Sequence, residues 1–248
     1  MAAEIHAKLE KIGIDDILST CELVQRSRSW GGCDVYRWTL DSGKEILIKS
    51  LRYRPLWLRL LYGRHILQKE NRNLKVMQDK GICVPHPYGI EDKDYLLEEF
   101  LSDGKPLLSN RHYNEQTKPS RDFFDQLVQI IKSMHEMKIC HGDFHRANVF
   151  ILENGKPCLL DVATAICIHK ESSWWDRLKF KVFEDADNFS LAKIAGSYYP
   201  EMVKEEPLKS MLENVPWYLK LGSLLRHKVY RRIRGKRKRP SSTCRDVS

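Results

Sequence analysis

Apolar positions along this chain follow two different periods. Ile5, Leu9, Ile12 and Ile17 fall near one face of a helix over Ala2 to Ser19, which Gly13 interrupts. Alternating patterns then predict strands at Glu22 to Gln25, Val35 to Leu40 and Glu45 to Ile48, the last two joined by a turn at Asp41-Ser42-Gly43. Leu67, Leu74 and Met77 share one side of a helix over Ile66 to Lys80, which Gly81 closes. Two more strands, Tyr88 to Ile90 and Tyr95 to Leu101, flank Glu91-Asp92-Lys93-Asp94. From Ser120 the period lengthens. Ser120 is an expected N-cap, and Phe124, Leu127, Val128, Ile131 and Met134 form a buried stripe. Short apolar runs at Val149 to Leu152 and Pro157 to Leu160 bracket Asn154-Gly155, a strong hairpin signal, and a further helix is expected over Asp185 to Ser197. The pattern predicts an α+β protein: an antiparallel sheet with one helix first, a mostly helical part second.

Composition narrows the class. The chain has 248 residues, 42% hydrophobic and 30% charged, enough to bury a sizeable core. No stretch approaches the roughly 18 consecutive apolar residues of a spanning helix, and Glu4, Lys8 and Glu10 sit where a signal peptide would be apolar, so a cytoplasmic location is expected. Seven cysteines include no C-x-x-C pair and read as reduced thiols. The net charge of +9 is concentrated: ten Lys and Arg residues, and no acid, lie between Lys220 and Pro240. The rest of the chain is nearly neutral.

Candidate chemistry centres on His141-Gly-Asp-Phe-His-Arg-Ala-Asn148 and on Asp161. Asp143 precedes Asn148 by five residues, Asp161 follows thirteen later, and the Asn154-Gly155 hairpin turns Asp161 back towards Asn148. One carboxylate to accept the proton of an attacking hydroxyl, with oxygen ligands on a nearby loop and strand to hold Mg2+ against ATP phosphates, is the layout of phosphoryl transfer. Asp143 would be the base, and Asn148 and Asp161 the metal ligands. A metal pair formed by His141 and His145 is the weaker reading. Gly31 and Gly32 lie in a loop whose backbone N–H groups could cover phosphates. Lys49, ending a strand, could reach the α- and β-phosphates, with Glu70 pairing it from the helix twenty-one residues on. The segment Glu98 to Leu101, with Glu99 at its centre, would be a hinge whose backbone meets adenine. Trp174-Trp175 reads as core or lid packing.

Taken in order, the Gly loop, Lys49, Glu70, Asp143, Asn148 and Asp161 resemble the protein-kinase-like superfamily over about Glu22 to Ser197. Gly142 stands where eukaryotic-type kinases have Arg, and His145 where they have Lys; both are similar to the loop of small-molecule and sugar kinases. Asp161-Val162-Ala163 replaces Asp-Phe-Gly, and no Ala-Pro-Glu follows. The basic and aromatic segment Arg52 to His65, the short stretch after Asp161 and the polybasic C-terminus look most like the bacterial lipopolysaccharide core kinases. The resemblance implies a bilobal fold with an N-terminal helix at 1–21, an N-lobe at 22–101, a C-lobe at 102–215 and a basic tail at 216–248. It implies ATP and Mg2+ as cofactors, a heptose or 3-deoxy-manno-octulosonic acid (Kdo) hydroxyl as acceptor, and work at the cytoplasmic face of the inner membrane.

Alternatives stay open: an aminoglycoside-like small-molecule or protein Ser/Thr phosphotransferase, or a membrane-bound pseudokinase scaffold. The arginines of Arg52 to Arg64 are expected to contact an anionic acceptor or lipid, or else Trp57 and Leu58 pack on the N-lobe. Trp217 to Arg239 is expected to lie as an amphipathic helix on an anionic membrane surface, with a solvated tail as the other reading and nucleic acid not expected as a partner. The sequence does not indicate an oligomeric state.

Overall fold

The computed structural model describes residues 2–27, 32–169 and 172–219. A five-stranded antiparallel sheet forms the N-terminal half, in the order β1 (Glu22–Gln25), β2 (Asp34–Thr39), β3 (Glu45–Ser50), β5 (Tyr95–Glu99), β4 (Pro87–Glu91). The turns follow their chemistry. Gly43 takes φ 78° between β2 and β3, and Asp92 and Lys93 are both at positive φ between β4 and β5, as a tight hairpin with right-handed twist requires. Gly13, at φ 85°, splits the N-terminal helix into α1 (Ala2–Ile12) and α2 (Ile14–Thr20). Their Ile5, Leu9, Ile17 and Leu18 cover one sheet face, packing with Tyr36, Trp38, Ile46 and Ile48.

The segment after β3 is helical. A single turn, α3 (Leu56–Leu58), runs through a π-helical turn at Arg59–Gly63 into α4 (Arg64–Asp79). Gly63 is where this helix meets β3's end, since a Cβ there would lie 2.6 Å from the Leu51 side chain. The buried stripe of α4 is Leu67, Glu70, Asn73, Leu74 and Met77, so two polar residues sit inside an otherwise apolar face.

The C-terminal half is built on two helices. In α5 (Arg121–Glu136), Ser120 caps the start by accepting from the Phe123 N–H, and Phe123, Phe124, Leu127, Val128, Ile131 and Met134 are buried, each contributing about 1.5–3 kcal/mol. The second, α6 (Trp174–Tyr198), starts eleven residues before the expected Asp185. Its start was legible in Ser173-x-x-Asp176, where Ser173 accepts from the Asp176 N–H. Between them lie β7 (Ile139–Cys140), paired with β10 (Ile166–Cys167), and the hairpin β8 (Val149–Ile151) and β9 (Pro157–Leu159), flanked by β6 (Lys105–Pro106); a short α7 (Leu208–Glu213) packs on α6. This is the α+β order that the pattern of strands and helices predicts and the bilobal, kinase-like fold that the resemblance implies. No described helix is long and apolar enough to cross a membrane. The amphipathic helix expected over Trp217 to Arg239 lies outside the described residues beyond Leu219.

Candidate nucleotide and phosphoryl-transfer site

A cavity of about 570 Å³ opens between the sheet and the β8–β9 hairpin. Val24, Val35 and Leu47 wall it from the sheet, Phe150 and Leu160 from the hairpin, and Glu98 to Leu101 close its back. Gly32, Lys49, Glu70, Glu99, Asn148 and Asp161, six of the residues singled out by spacing, all line it. Gly31 lies outside the described residues. Asp143 is not part of the wall; its side chain is exposed on the His141–Asn148 loop.

Lys49 is held by two carboxylates. Its Nζ is 2.6 Å from Glu70 Oε1 and 2.8 Å from Glu98 Oε1, and all three side chains are largely buried. Burial works against the ammonium, but Glu70 and Glu98 outweigh it and raise the Lys49 pKa well above its ordinary value. Burial pushes the Glu70 carboxyl up, to about 7, against the pull of Lys49 and with Glu98 adding to the rise. Glu98 was not singled out in the sequence as a side chain, although strand parity marks it. Lys49 lies opposite Leu96 and Leu47 opposite Glu98, which puts Lys49 and Glu98 on one sheet face as diagonal neighbours.

The Gly loop is clasped at its base. Asp34, buried at the start of β2, accepts from the Ser27 N–H at 2.8 Å and from Arg54 Nη2 at 2.8 Å, while Arg54 Nε donates to the Gly32 carbonyl at 2.8 Å. Glu99 is committed to its own strand neighbour, its N–H donating to the His86 carbonyl at 2.8 Å and its carboxylate accepting from the His86 N–H. Any hinge contact to a base would therefore use carbonyl groups or neighbouring N–H groups and not that of Glu99.

The loop from His141 to Asn148 is fixed from beneath. Asp187 of α6, 1% exposed, accepts from the His141 N–H at 2.7 Å and the Gly142 N–H at 3.1 Å. His141 is fully buried and its Nε2–H donates to the Leu160 carbonyl at 3.0 Å; burial keeps its pKa below the ordinary value despite Asp187. His141 is thus a strut between loop and hairpin, and it does not pair with His145 as a ligand. Gly142, at φ 81°, would place a Cβ 3.0 Å from the Thr164 carbonyl, so the loop's path here excludes the arginine of eukaryotic-type kinases. Asp187 also forms, with His135 and Cys140, a group close enough to hold a metal among the described residues, but both its oxygens already accept from loop N–H groups.

Asn148 Nδ2 donates to the Asp143 carbonyl at 3.0 Å, which leaves Oδ1 as its ligand atom, and the Leu160 N–H donates to the Asn148 carbonyl at 2.9 Å. The hairpin therefore brings Asp161 back to Asn148 as its turn chemistry predicts. Asp161 sits in the left-handed region, φ 53° and ψ 65°, a conformation that costs a non-glycine residue about 1–3 kcal/mol. Such strain is held by its surroundings: Asn73 of α4 donates to the Val162 and Ala165 carbonyls at 2.8 and 3.1 Å, and Lys69 to that of Thr164. The helix that carries Glu70 and the turn that carries Asp161 are thus tied together. Two oxygen ligands facing one cavity, beside an ammonium, fit a hard divalent cation carrying nucleotide phosphates. Asp143 is at the open side, with His145 Nε2 3.8 Å from its Oδ2.

The arginines after β3 have partners within the chain. Arg52 pairs with Asp15 at 2.7 Å, Arg54 with Asp34, and both Arg59 and Arg64 with Asp94. These internal ion pairs tie the arginines to the N-terminal half, while Trp57, expected to pack on the N-lobe in the other reading, is more than half exposed.

Residues 57–179 match the family model of the RIO domain, a member of the protein-kinase-like superfamily. The match spans α4, the His141–Asn148 loop and Asp161, and goes no finer than the superfamily for the acceptor. Among curated proteins, none matches the chain.

Proposed function

We propose that this kinase-like chain is an ATP- and Mg2+-dependent phosphotransferase that phosphorylates a sugar hydroxyl, heptose or Kdo, of a lipopolysaccharide-core glycolipid at the cytoplasmic face of the inner membrane. The observation that carries the phosphotransfer reading is the convergence of Lys49, Asn148 and Asp161 on one cavity, with Glu70 and Glu98 holding the lysine. Mg2+, when bound, would neutralise charge on the phosphates. Asn148 Oδ1 and the Asp161 carboxylate would hold it, Lys49 would bind the α- and β-phosphates, and Gly32 would bring backbone close to them. Asp143 would orient the acceptor hydroxyl and take its proton.

The acceptor class rests on charge. His145 and Arg146, exposed next to Asp143, suit an anionic acceptor better than a cationic antibiotic. Similarity to the RIO domain favours a second reading, a protein serine or threonine as acceptor. Purified protein supplied with labelled ATP, Mg2+ and either detergent-dispersed core glycolipid or a mixed protein extract separates the two. Label in the glycolipid, lost in Asp143→Asn, supports the first. Label confined to protein favours the second, and no Mg2+-dependent ATP binding at all would leave a scaffold.

A further inference from the structure

Between β3 and α4 the chain turns its charges inward and its apolar side chains outward. Arg54, Arg59 and Arg64 reach buried carboxylates of β2 and of the β4–β5 turn. Tyr53, Leu56, Trp57, Leu60, Leu61 and Tyr62 face out, with Leu61 78% and Trp57 55% exposed. Single exposed leucines are ordinary on a protein surface; six large apolar side chains within ten residues are a patch. The patch is also anchored. It rides on a helical turn that is closed against Leu51 at Gly63 and pinned by the arginines on Asp94, so its exposure is built into the fold.

We propose that this face is a membrane foot, inserting its leucines and aromatic rings at the headgroup boundary of an anionic bilayer. The occupant follows from two properties of the chain. The face mixes Trp and Tyr with Leu, the composition of interfacial helices. The same chain carries ten basic residues and no acid between Lys220 and Pro240, each worth about 1 kcal/mol near an anionic surface. An anionic bilayer is apolar and negative at once, and so answers both the apolar face and the basic stretch of the chain. The foot runs directly into α4, the helix whose Glu70 holds Lys49. The inference rests on the proposed glycolipid acceptor only for its purpose; the surface itself is tested without it.

Full-length protein is sedimented with phosphatidylglycerol vesicles and with phosphatidylcholine vesicles. Wild type is expected on the former, and the pair Leu60→Ser and Leu61→Ser is expected to lower binding at least tenfold with ATP affinity and melting temperature unchanged. Leu61→Ser alone, at the most exposed position, guards against misfolding of the double variant. Vesicles with brominated acyl chains should quench tryptophan emission, and Trp57→Phe should remove part of that quenching. Wild-type binding by the serine variants, quenching indifferent to Trp57→Phe, or equal binding to both lipids would overturn the foot. A dimer in sedimentation velocity that Leu61→Ser dissolves would overturn it too, assigning the face to a second copy. Vesicle binding that persists in a protein without phosphotransfer would remove the proposed activity and leave the foot standing.

Discussion

Lys49 and Asp143 stand at the two ends of the proposed phosphoryl path, and the protein treats them differently. Lys49 is buried between two carboxylates, on a helix and a strand that are themselves tied to the turn of Asp161. Asp143 is exposed, and the contacts that fix its loop reach only backbone, the His141 and Gly142 N–H groups through Asp187 and the Asp143 carbonyl through Asn148. The proposed nucleotide side is thus built of interlocked buried ion pairs and hydrogen bonds, whereas the proposed acceptor side is a positioned backbone with an open carboxylate. Preorganised charge is what stabilises a developing charge distribution, and open carboxylates are what a variable acceptor needs.

That contrast is broken most directly at Asp143. Asp143→Asn is expected to lower turnover about 10²–10⁴-fold while ATP affinity changes less than twofold, because the group acts on the acceptor hydroxyl alone. Steady-state rates beside equilibrium nucleotide binding test it; a parallel loss of ATP affinity would place Asp143 on the nucleotide side. Asp161→Asn should do the reverse, weakening Mg2+-ATP binding about 10–100-fold. Equal ATP affinity with and without Mg2+ in wild type would remove Asp161 from the metal's ligands.

The double hold on Lys49 gives a non-additive pattern. Glu70→Gln and Glu98→Gln each leave one carboxylate on the ammonium, so each alone should cost less than about tenfold in kcat/KM for ATP, roughly 1.4 kcal/mol. The double variant should lose more than the product of the singles. A double-mutant cycle measures this directly. If Glu70→Gln alone abolished activity, Glu98 would be a bystander to the lysine.

The same asymmetry explains how much was legible. Lys49, Glu70, Asn148 and Asp161 are fixed by strand, helix and hairpin signals at regular spacings, and the cavity gathers all four. The Asn154-Gly155 turn and the alternation of β2 and β3 set those positions locally, so sequence patterns reach them. Glu98 required knowing which strand pairs with β3, a tertiary fact that spacing does not carry. Asp187 was hidden for the same reason, since its partners are backbone N–H groups 45 and 46 residues away. The segment after β3 misled because its arginines advertise a polar surface. Asp34 and Asp94, far away in sequence, draw the charges of Arg54, Arg59 and Arg64 inward and leave the aromatic residues facing out.

The smallest expected effect compares the two ends by stability. Asp94 takes both Arg59 and Arg64; although burial pushes its carboxyl up, the two guanidinium groups outweigh that and bring its pKa to about 2, against 3.8 ordinarily. A carboxylate with a lowered folded pKa contributes stability that is present above its ordinary pKa and lost as pH falls through the folded value. Asp94→Asn should therefore cost on the order of 1–2 kcal/mol at pH 7 and progressively less between pH 4 and pH 2. Asp143→Asn, at an exposed and open carboxylate, should change stability by no more than about 0.5 kcal/mol across that range. Urea unfolding of the two variants and wild type at pH 7, 4 and 2.5 measures the difference. An Asp94→Asn loss that is the same at pH 2.5 as at pH 7 would show that packing, and not charge, holds the start of α4. An equal loss at Asp143 would mean that the acceptor side is prebuilt as well.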